Sequence, residues 1–287
     1  MQHPIHRASL RPRATFRDDA RQQEFANRGY VIVPLLSANN LAALSDLYRS
    51  LSSGIDAGFY SSMFSGDFDY RDRASEGVEA VLLPAVTDLL SDYRALAGGF
   101  MVKIPGPQSE LAAHQDWNIV DEQRFTSINV WAPVTPLTGE NGSLYVLPGS
   151  HRFIDGLRPS LFYPSSLDPH RDVVRQKYLH PVEVPPGHAV IHNSALVHAS
   201  SANQSDEARV VSSLNMIPRE APPIHYHLDQ ATGDIEFFEV DDRFYLRHLL
   251  GARPDYPVKD TIPKYQAPVL SAEELQRHCA EVGAARS

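Results

Sequence analysis

Residues 111–118, with the sequence LAAHQDWN, constrain this chain most, because they place His114 and Asp116 two positions apart. Alternate side chains of an extended strand share one face, so an imidazole and a carboxylate at this spacing can bind one metal ion. A His-x-Asp tripeptide is a weak signal by itself, and two ligands do not complete a site. His198, which follows an apolar run, is the best third ligand. Two histidines and one carboxylate form the facial triad that is typical of non-haem Fe(II) oxygenases.

The residues after His198 predict a hairpin that adds a cation to this site. A polar turn at residues 201–207 separates His198 from a second apolar run. If the turn closes a hairpin, Ser200 pairs with Arg209, and both share a face with His198. An arginine inside an apolar strand is costly to bury unless it meets an anion, and a dicarboxylate co-substrate would supply one. A slip of one residue in this register would turn Arg209 outward.

The order of the motifs carries a family resemblance. They are His114-x-Asp116, Trp131, the run NGSLYVLPGSH at 141–151, Pro186-Gly187, His198-x-Ser200 and Arg209. This combination resembles the phytanoyl-CoA dioxygenase family of Fe(II)/2-oxoglutarate-dependent oxygenases over roughly residues 100–218. The resemblance implies a mainly β fold with flanking helices, whose core is a double-stranded β-helix of the jelly-roll, cupin-like type.

The resemblance also implies the cofactors and the roles of the site residues. Iron would be held by His114, Asp116 and His198. The distal carboxylate of 2-oxoglutarate would be bound by Arg209, with Ser200 and Trp131 beside it. The cofactors implied are Fe(II) and 2-oxoglutarate, with O2 as co-substrate and with succinate and CO2 as products.

Hydroxylation of an unactivated C–H bond in a small molecule is the outcome expected from the resemblance. Related halogenases replace the carboxylate of the triad, whereas Asp116 is present here. Desaturation, cyclisation and epimerisation use the same triad and stay open as alternatives. The alternative from another class is a non-catalytic β-helix module that binds a metal or ligand without turnover. Such a module has no need of both a triad and a dicarboxylate anchor.

Two further residues have open roles at the cofactor. Lys103 lies on a predicted strand at residues 100–104, where it can reach a carboxylate or point into solvent, as most lysines do. Trp131 lies on a predicted strand at residues 125–134, on the polar face that also carries Asn129. It can wall the cofactor or pack as a core tryptophan.

Other histidines are rival ligands. His225 and His227 share a strand face, but no carboxylate follows at a useful spacing, so surface or hydrogen-bonded roles are favoured. His188 and His192 lie on the strand before His198 and are expected to line the same cavity. We place His192 behind the ligands rather than on the metal.

Composition limits the partners. The formal net charge of -9 argues against general binding of nucleic acid or anionic membranes, which requires clustered lysine and arginine. The one cysteine, Cys279, excludes an intrachain disulfide and a cysteine-based zinc site. The chain has no apolar run of membrane-spanning length and no secretory signal pattern, so we expect a cytoplasmic protein. A small-molecule substrate is the expected partner, and the oligomeric state is open.

The domain layout follows from length and local patterns. Residues 1–17 lack acidic side chains and contain four arginines, and they predict a short disordered arm. Residues 18–287 predict one oxygenase domain, with helical support at 18–98, the core at about 99–218 and a C-terminal wrap at 219–287. Within the support, residues 76–96 predict a helix that Gly98 and Gly99 end. The aromatic residues 56–75 predict an irregular loop, which either covers the cavity or packs under the helices.

Overall fold

The centre of the protein is a pair of antiparallel sheets in a computed structural model that describes residues 13–51, 54–55, 57–159 and 163–284. The larger sheet contains six strands, which are in spatial order β1 (Tyr30–Pro34), β8 (His188–Asn193), β5 (Ile128–Pro133), β10 (Arg209–Pro218), β3 (Tyr93–Lys103) and β2 (Phe59–Ser61). The smaller sheet contains four, β4 (Leu111–His114), β9 (His198–Ser200), β6 (Leu144–Val146) and β7 (His180–Pro181). This arrangement agrees with the predicted β core.

Helices cover the outer face of the larger sheet. They are α1 (Asp19–Arg28), α2 (Ala38–Ser50) and α3 (Phe68–Val86). Leu44 of α2 and Val78 of α3 are fully buried in one apolar cluster with Val130 of β5. The neighbouring residues of β5, Asn129 and Trp131, face the other way and line a cavity between the sheets. The predicted alternation of this strand is therefore confirmed.

The C-terminal part wraps around this core. It contains a small sheet, β11 (Ile224–Leu228), β12 (Ile235–Glu239) and β13 (Asp260–Ile262), and the helices α5 (Phe244–Arg247) and α6 (Ala272–Ala284). The short helix α4 (Arg171–Val173) lies before β7. Within the described parts of the chain, no helix combines the length and apolar character needed to cross a membrane.

The first strand of the core begins earlier than predicted. Helix α3 starts at Phe68, where Asp67 caps it by accepting from the backbone N–H of Tyr70, and it ends at Val86. Gly98 and Gly99 do not end a helix but lie inside β3, which starts at Tyr93. The core therefore begins near residue 93 rather than 99.

The reason for these two glycines is close packing. Ser75 of α3 accepts from the backbone N–H of Gly98 at 2.9 Å, and Ser62 accepts from that of Phe100 at 2.9 Å. A Cβ atom on Gly99 would overlap the hydroxyl of Ser62. Glycine thus lets the 3-10 turn Ser62–Phe64 lie directly on β3.

The aromatic segment 56–75 is mostly regular, and its side chains divide between the two predicted roles. It forms β2, the 3-10 turn and the start of α3, while residue 56 is outside the described part. Tyr60 and Tyr70 are buried together, with ring centroids 6.4 Å apart. Met63 and Phe64 line the cavity.

The N-terminal arm prediction is wrong for its last residues. The backbone N–H of Ser91 donates to the carbonyl of Thr15 at 2.9 Å, and Phe16 is 2% exposed in the apolar cluster under the helices. Arg13 forms an ion pair with Glu220 at 2.8 Å. Burial of Phe16 stabilises this order. Residues 1–12 lie outside the described residues.

Candidate active site

The structure brings His114, Asp116 and His198 together in the cavity between the two sheets. His114 and His198 are direct partners across β4 and β9, and their ring centroids are 4.2 Å apart. Nε2 of His198 lies 3.8 Å from Oδ1 of Asp116. One possible ligand atom from each side chain lies within 4.8 Å of the others, so the three can hold one metal ion.

Backbone contacts fix the orientation of both imidazoles. Nδ1 of His114 donates to the carbonyl of Ala112 at 2.8 Å, and Nδ1 of His198 donates to that of Leu196 at 3.0 Å. A carbonyl can only accept, so Nδ1 carries the proton in each ring. The Nε2 lone pairs are then free for a metal, which is the tautomer that outer hydrogen bonds usually impose on metal-binding histidines.

Asp116 is held by its backbone and keeps a buried carboxylate oxygen without a partner. Its N–H donates to Ser194 at 2.9 Å, and its carbonyl accepts from Nε of Arg158 at 2.5 Å. Oδ2 has no hydrogen-bond partner. Burial alone would raise the pKa of Asp116, but His198, His192, His114 and Arg158 together lower it below its usual value.

The protonation states suit a metal ion. Burial, with the nearby His198, lowers the pKa of His114 to about 4, and burial also lowers that of His198. Two neutral imidazoles and an ionised carboxylate are the donors that Fe(II) requires, because each ligand must be deprotonated to bind. The orphaned oxygen of Asp116 and the two free Nε2 atoms fit such an ion.

Two buried cations lie side by side, and one of them, Arg209, lines the cavity. Arg209 is 2% exposed, and its guanidinium carbon lies 5.4 Å from the centre of the Trp131 ring. Lys103 is fully buried and is the direct partner of Arg209 across β3 and β10. Its Nζ donates to the carbonyls of Ser109 and Ser200. The structure thus places Ser200, Trp131 and Lys103 around Arg209, and contact of these four residues with a cofactor stays a prediction.

The two cations need an anion. Nη1 of Arg209 reaches only the carbonyl of Gly142, at 3.4 Å, and its Nε has no hydrogen-bond partner. Burial lowers the pKa of Arg209 to about 9, and burial together with Arg209 lowers that of Lys103 to about 7. Neither side chain has an ion pair with the described residues. A bound dicarboxylate would offset the cost of burying these charges.

The hairpin that predicted the position of Arg209 is wrong. β9 pairs with β4 and β6 in the smaller sheet, whereas β10 pairs with β3 and β5 in the larger one. Ser200 is the partner of Leu111 and Leu144, not of Arg209. Arg209 nevertheless faces the cavity, because the two sheets face each other across it.

Of the rival histidines, His192 lines the cavity, whereas His188, His225 and His227 do not. His225 is 1% exposed and packs on Phe244 and His248, with ring centroids 4.9 and 4.8 Å apart. Of its two expected roles, the surface role is therefore wrong, and the hydrogen-bonded role stays a prediction. His192 lines the cavity, and its ring centroid is 4.8 Å from that of His198. His192 is not one of the possible metal ligands.

Two supporting residues, Gln115 and Arg158, were not predicted from the sequence. Gln115, between the two possible ligands, points away from them and donates to Ile154 at 3.0 Å and Ala195 at 2.6 Å. The same strand alternation predicts this outward direction. Arg158 had no such signal, because it lies in an irregular segment, 42 positions from the Asp116 carbonyl that it contacts.

The cavity that contains these groups measures about 750 Å³. Its buried end is formed by Arg209 and Trp131, and its exposed end includes Phe64, which is 44% exposed. Tyr245, His248 and other residues of the C-terminal wrap form part of the wall. A cavity of this size can bury a drug-sized ligand.

Comparison with known proteins gives a family match. A family model described as Phytanoyl-CoA dioxygenase (PhyH) matches residues 27–211. Phytanoyl-CoA dioxygenase domain-containing protein 1 from Danio rerio is 31% identical over 129 residues, which cover 42% of this chain and 44% of that protein. Phytanoyl-CoA dioxygenase 1 from Oryza sativa subsp. japonica is 30% identical over 125 residues, covering 42% and 43%. The matches span less than half the length of these relatives.

Two solved structures are similar in fold. The non-heme alpha ketoglutarate dependent carbocyclase SnoK from nogalamycin biosynthesis has a TM-score of 0.52 at 19% identity, over 75% of this chain and 89% of that one. HygX from Streptomyces hygroscopicus, with nickel, 2-oxoglutarate and hygromycin B bound, has a TM-score of 0.50 at 16% identity, over 71% and 88%. At these identities the likeness concerns the fold. It confirms the predicted mainly β fold with flanking helices and a jelly-roll core.

Proposed function

Because this chain belongs to the phytanoyl-CoA dioxygenase family, we propose that it is a non-haem Fe(II)- and 2-oxoglutarate-dependent dioxygenase that hydroxylates an unactivated C–H bond of a small molecule. The products from the co-substrate are succinate and CO2. One observation carries the proposal: the cavity that contains a possible facial triad is also lined by the buried Arg209. Lys103 lies beside Arg209, and neither cation has an ion pair to the described residues.

His114, Asp116 and His198 are the proposed iron ligands. Their possible donor atoms lie within 4.8 Å of one another, and an ion held by only three side chains would keep positions for other ligands. When bound, iron with 2-oxoglutarate and O2 supplies the oxidising power for attack on a C–H bond. The contacts of the imidazoles with Ala112 and Leu196 keep Nε2 directed at the metal position.

Arg209 and Lys103 are the proposed anchor for the distal carboxylate of 2-oxoglutarate. A guanidinium offers parallel N–H donors that match a carboxylate, and its Nε is without a partner. Lys103, the strand partner of Arg209, adds a second positive charge beside it. Trp131 and Ser200 are the proposed walls beside the cofactor, where burial excludes water and strengthens these contacts.

The test is release of succinate from 2-oxoglutarate by the full chain in a screen of small molecules. Substrate-stimulated succinate release is the expected result, and loss of it in Asp116→Ala with an unchanged circular dichroism spectrum would support the triad. His227→Gln is the matched control, because His227 lies outside the group of possible ligands. Full activity of Asp116→Ala would overturn the ligand assignment.

Two further measurements separate this proposal from its alternatives. Anaerobic addition of Fe(II) and 2-oxoglutarate should produce a weak visible charge-transfer band, which a non-catalytic binding module would lack. Product mass identifies the outcome, because hydroxylation adds one oxygen atom and desaturation or cyclisation removes two hydrogens. A product of unchanged mass and inverted configuration would identify epimerisation instead.

A further inference from the structure

The part of the cavity beyond the triad offers no free positive charge. Of the described arginine and lysine residues that line the cavity, Arg209 lies at the cofactor end and Arg171 is the other. Nε and Nη2 of Arg171 donate to Oδ1 of Asp168 at 2.9 and 2.7 Å, and Nη1 donates to the carbonyl of Ala113. The charge of Arg171 is thus balanced by Asp168, and its three nitrogens already have acceptors.

The remaining titratable ring in this region is uncharged at neutral pH. His248 lines the cavity. Burial, with His227 and Arg71 nearby, lowers the pKa of His248 to about 4. A carboxylate or phosphate that entered here would lose its hydration without gaining an ion pair, and that exchange is costly.

The wall of this region is aromatic and apolar. Phe64 and Trp117 face each other at its exposed end, with ring centroids 6.5 Å apart. Tyr163 and Tyr245 line it from two other segments. Phe64 and Trp117 therefore pack on each other, and aromatic side chains of this kind also pair with flat rings of a ligand. Tyr245 and His248 lie outside the residues matched by the family model, whereas Phe64, Trp117 and Tyr163 lie inside them.

Neutral amides supply the polar contacts. Asn129 and Asn215 are direct partners across β5 and β10, and both line the cavity. Oδ1 of Asn129 accepts from the hydroxyl of Ser213 at 2.9 Å, which fixes the direction of that amide. One carbonyl or hydroxyl group on a ligand would be enough to bind this pair. In a small-molecule site, a small number of polar groups in an otherwise apolar wall usually fixes the orientation of the ligand.

We propose that the prime substrate is an uncharged, mainly apolar molecule with a flat ring, bound as the free compound rather than as a carboxylate or a CoA thioester. This inference rests on the proposed function, since it concerns the part of the same cavity that 2-oxoglutarate leaves open. Three features together select such a molecule: the neutral wall, the pairing of Arg171 with Asp168, and the aromatic rings of Phe64 and Trp117.

The experiment uses three probes that share one ring system: methyl naphthoate, naphthoate and naphthoyl-CoA. Each is titrated calorimetrically into the full chain loaded anaerobically with Fe(II) and 2-oxoglutarate. We expect the neutral ester to bind at least about tenfold more tightly than the acid or the thioester. Equal or tighter binding of the acid or the thioester would overturn the inference, and so would failure of the ester to bind.

Variants link this selectivity to the named residues. Phe64→Ala should weaken binding of the ester by about tenfold, the loss expected for one buried aromatic contact. Val269→Ala is the matched control, because Val269 is 94% exposed and does not line the cavity. Asp168→Asn leaves the charge of Arg171 unbalanced, so it should strengthen binding of naphthoate and leave the ester unchanged. An Asp168→Asn protein with unchanged naphthoate affinity would contradict the role of the paired charge.

The charge-transfer band, recorded on the same samples, separates the two proposals. A normal band with reversed probe selectivity would overturn the substrate class alone. An absent band would overturn the proposed function, and the probe affinities would still decide which ligand class the cavity takes.

Discussion

Lys103 and Arg209 are two positive side chains buried side by side. They are direct strand partners, and the lowered pKa values of both reflect the cost of that burial. Without a bound anion, a protein with two buried positive side chains that form no ion pair is less stable than one with apolar residues at the same positions. At the scale of single residues, a carboxylate bound at Arg209 would therefore offset the cost of burying this pair.

Replacing Arg209 by lysine should weaken binding of 2-oxoglutarate. Lysine keeps the charge but cannot reproduce the fork of N–H donors. Loss of one charge-assisted hydrogen bond costs about 1.5–3 kcal/mol, or roughly ten- to a hundredfold in the KM for 2-oxoglutarate. Steady-state kinetics at saturating prime substrate measure this. Arg219→Lys is the control, because Arg219 directly follows the other end of β10 and is exposed. An equal effect of this variant would contradict the anchor.

Lys103 predicts a pH dependence of cofactor binding. Its pKa of about 7 means that the cofactor-free enzyme loses this charge as the pH rises above about 7. The carboxylates of 2-oxoglutarate stay ionised in this range, so the KM for 2-oxoglutarate should rise between about pH 7 and pH 8.5, below the pKa of Arg209. Lys103→Met should raise the KM and remove this slope. A wild-type KM that stays constant over this range would contradict a contact with the cofactor.

The possible ligands were predictable from the sequence because strand alternation is a local rule. His114 and Asp116 share a face within one extended stretch, and no distant contact is needed to place them. Arg209 faces the cavity, but the hairpin that was expected to place it there does not form. A turn of seven residues does not reveal whether the chain returns to the same sheet or crosses to the other one, since that choice depends on tertiary packing.

At the scale of elements, the first turns of α3 hold the C-terminal wrap against the cavity. Arg71 is 1% exposed and donates to the carbonyl of Ser65 at 2.5 Å and to that of His248 at 2.8 Å. Asp72 forms ion pairs with Arg243, directly before α5, and with Arg247, the last residue of α5. One end of a helix thus positions both the 3-10 turn and the segment that contains His248.

Replacing Arg71 by methionine should loosen this connection. Two partly buried carbonyls would lose their donor, which costs up to about 1–3 kcal/mol of unfolding free energy for each group left unsatisfied. Arg73→Met is the matched control, because Arg73 lies two positions further on the exposed side of α3 and should change stability by less than about 0.5 kcal/mol. Urea titration measures both. Equal stabilities of the two variants would show that the contacts of Arg71 carry little energy.

The boundary between α3 and β3 was not predictable from periodicity. Gly98 and Gly99 resemble a helix end in sequence, but they serve the close approach of Ser62 and Ser75 to a strand. The cap of α3 at Asp67 is a local signal that the aromatic residues around it obscured. Local patterns indicate that a glycine is required, and only the packing shows which contact requires it.

At the scale of the whole molecule, the cavity is assembled from segments far apart in sequence. Both sheets, the 3-10 turn and the C-terminal wrap contribute residues to it. The sequence predicted the β core, because its motifs are ordered along the chain, but not the wall around His248, whose residues carry no motif. A ligand that fills the cavity therefore contacts several distant segments of the chain at once, and these segments are together only in the folded protein.

Binding of metal and 2-oxoglutarate should stabilise the whole fold. A ligand present at about 100 times its Kd adds about 2.7 kcal/mol, which corresponds to a rise in Tm of roughly 5 °C for a chain of this size. Differential scanning fluorimetry with Mn(II) and 2-oxoglutarate measures this rise. Asp116→Ala should retain the Tm of the ligand-free wild type and lose most of the increase. A full increase in that variant would show binding that does not involve Asp116.

The two tryptophans of the chain lie at opposite ends of this cavity. Trp131 lies beside Arg209 at the buried end, and Trp117 lies beside Phe64 at the exposed end. Each end therefore contains its own intrinsic fluorophore. Emission from a Trp117→Phe protein reports on the cofactor end and emission from a Trp131→Phe protein on the substrate end, so stopped-flow traces of the two can establish which ligand enters first.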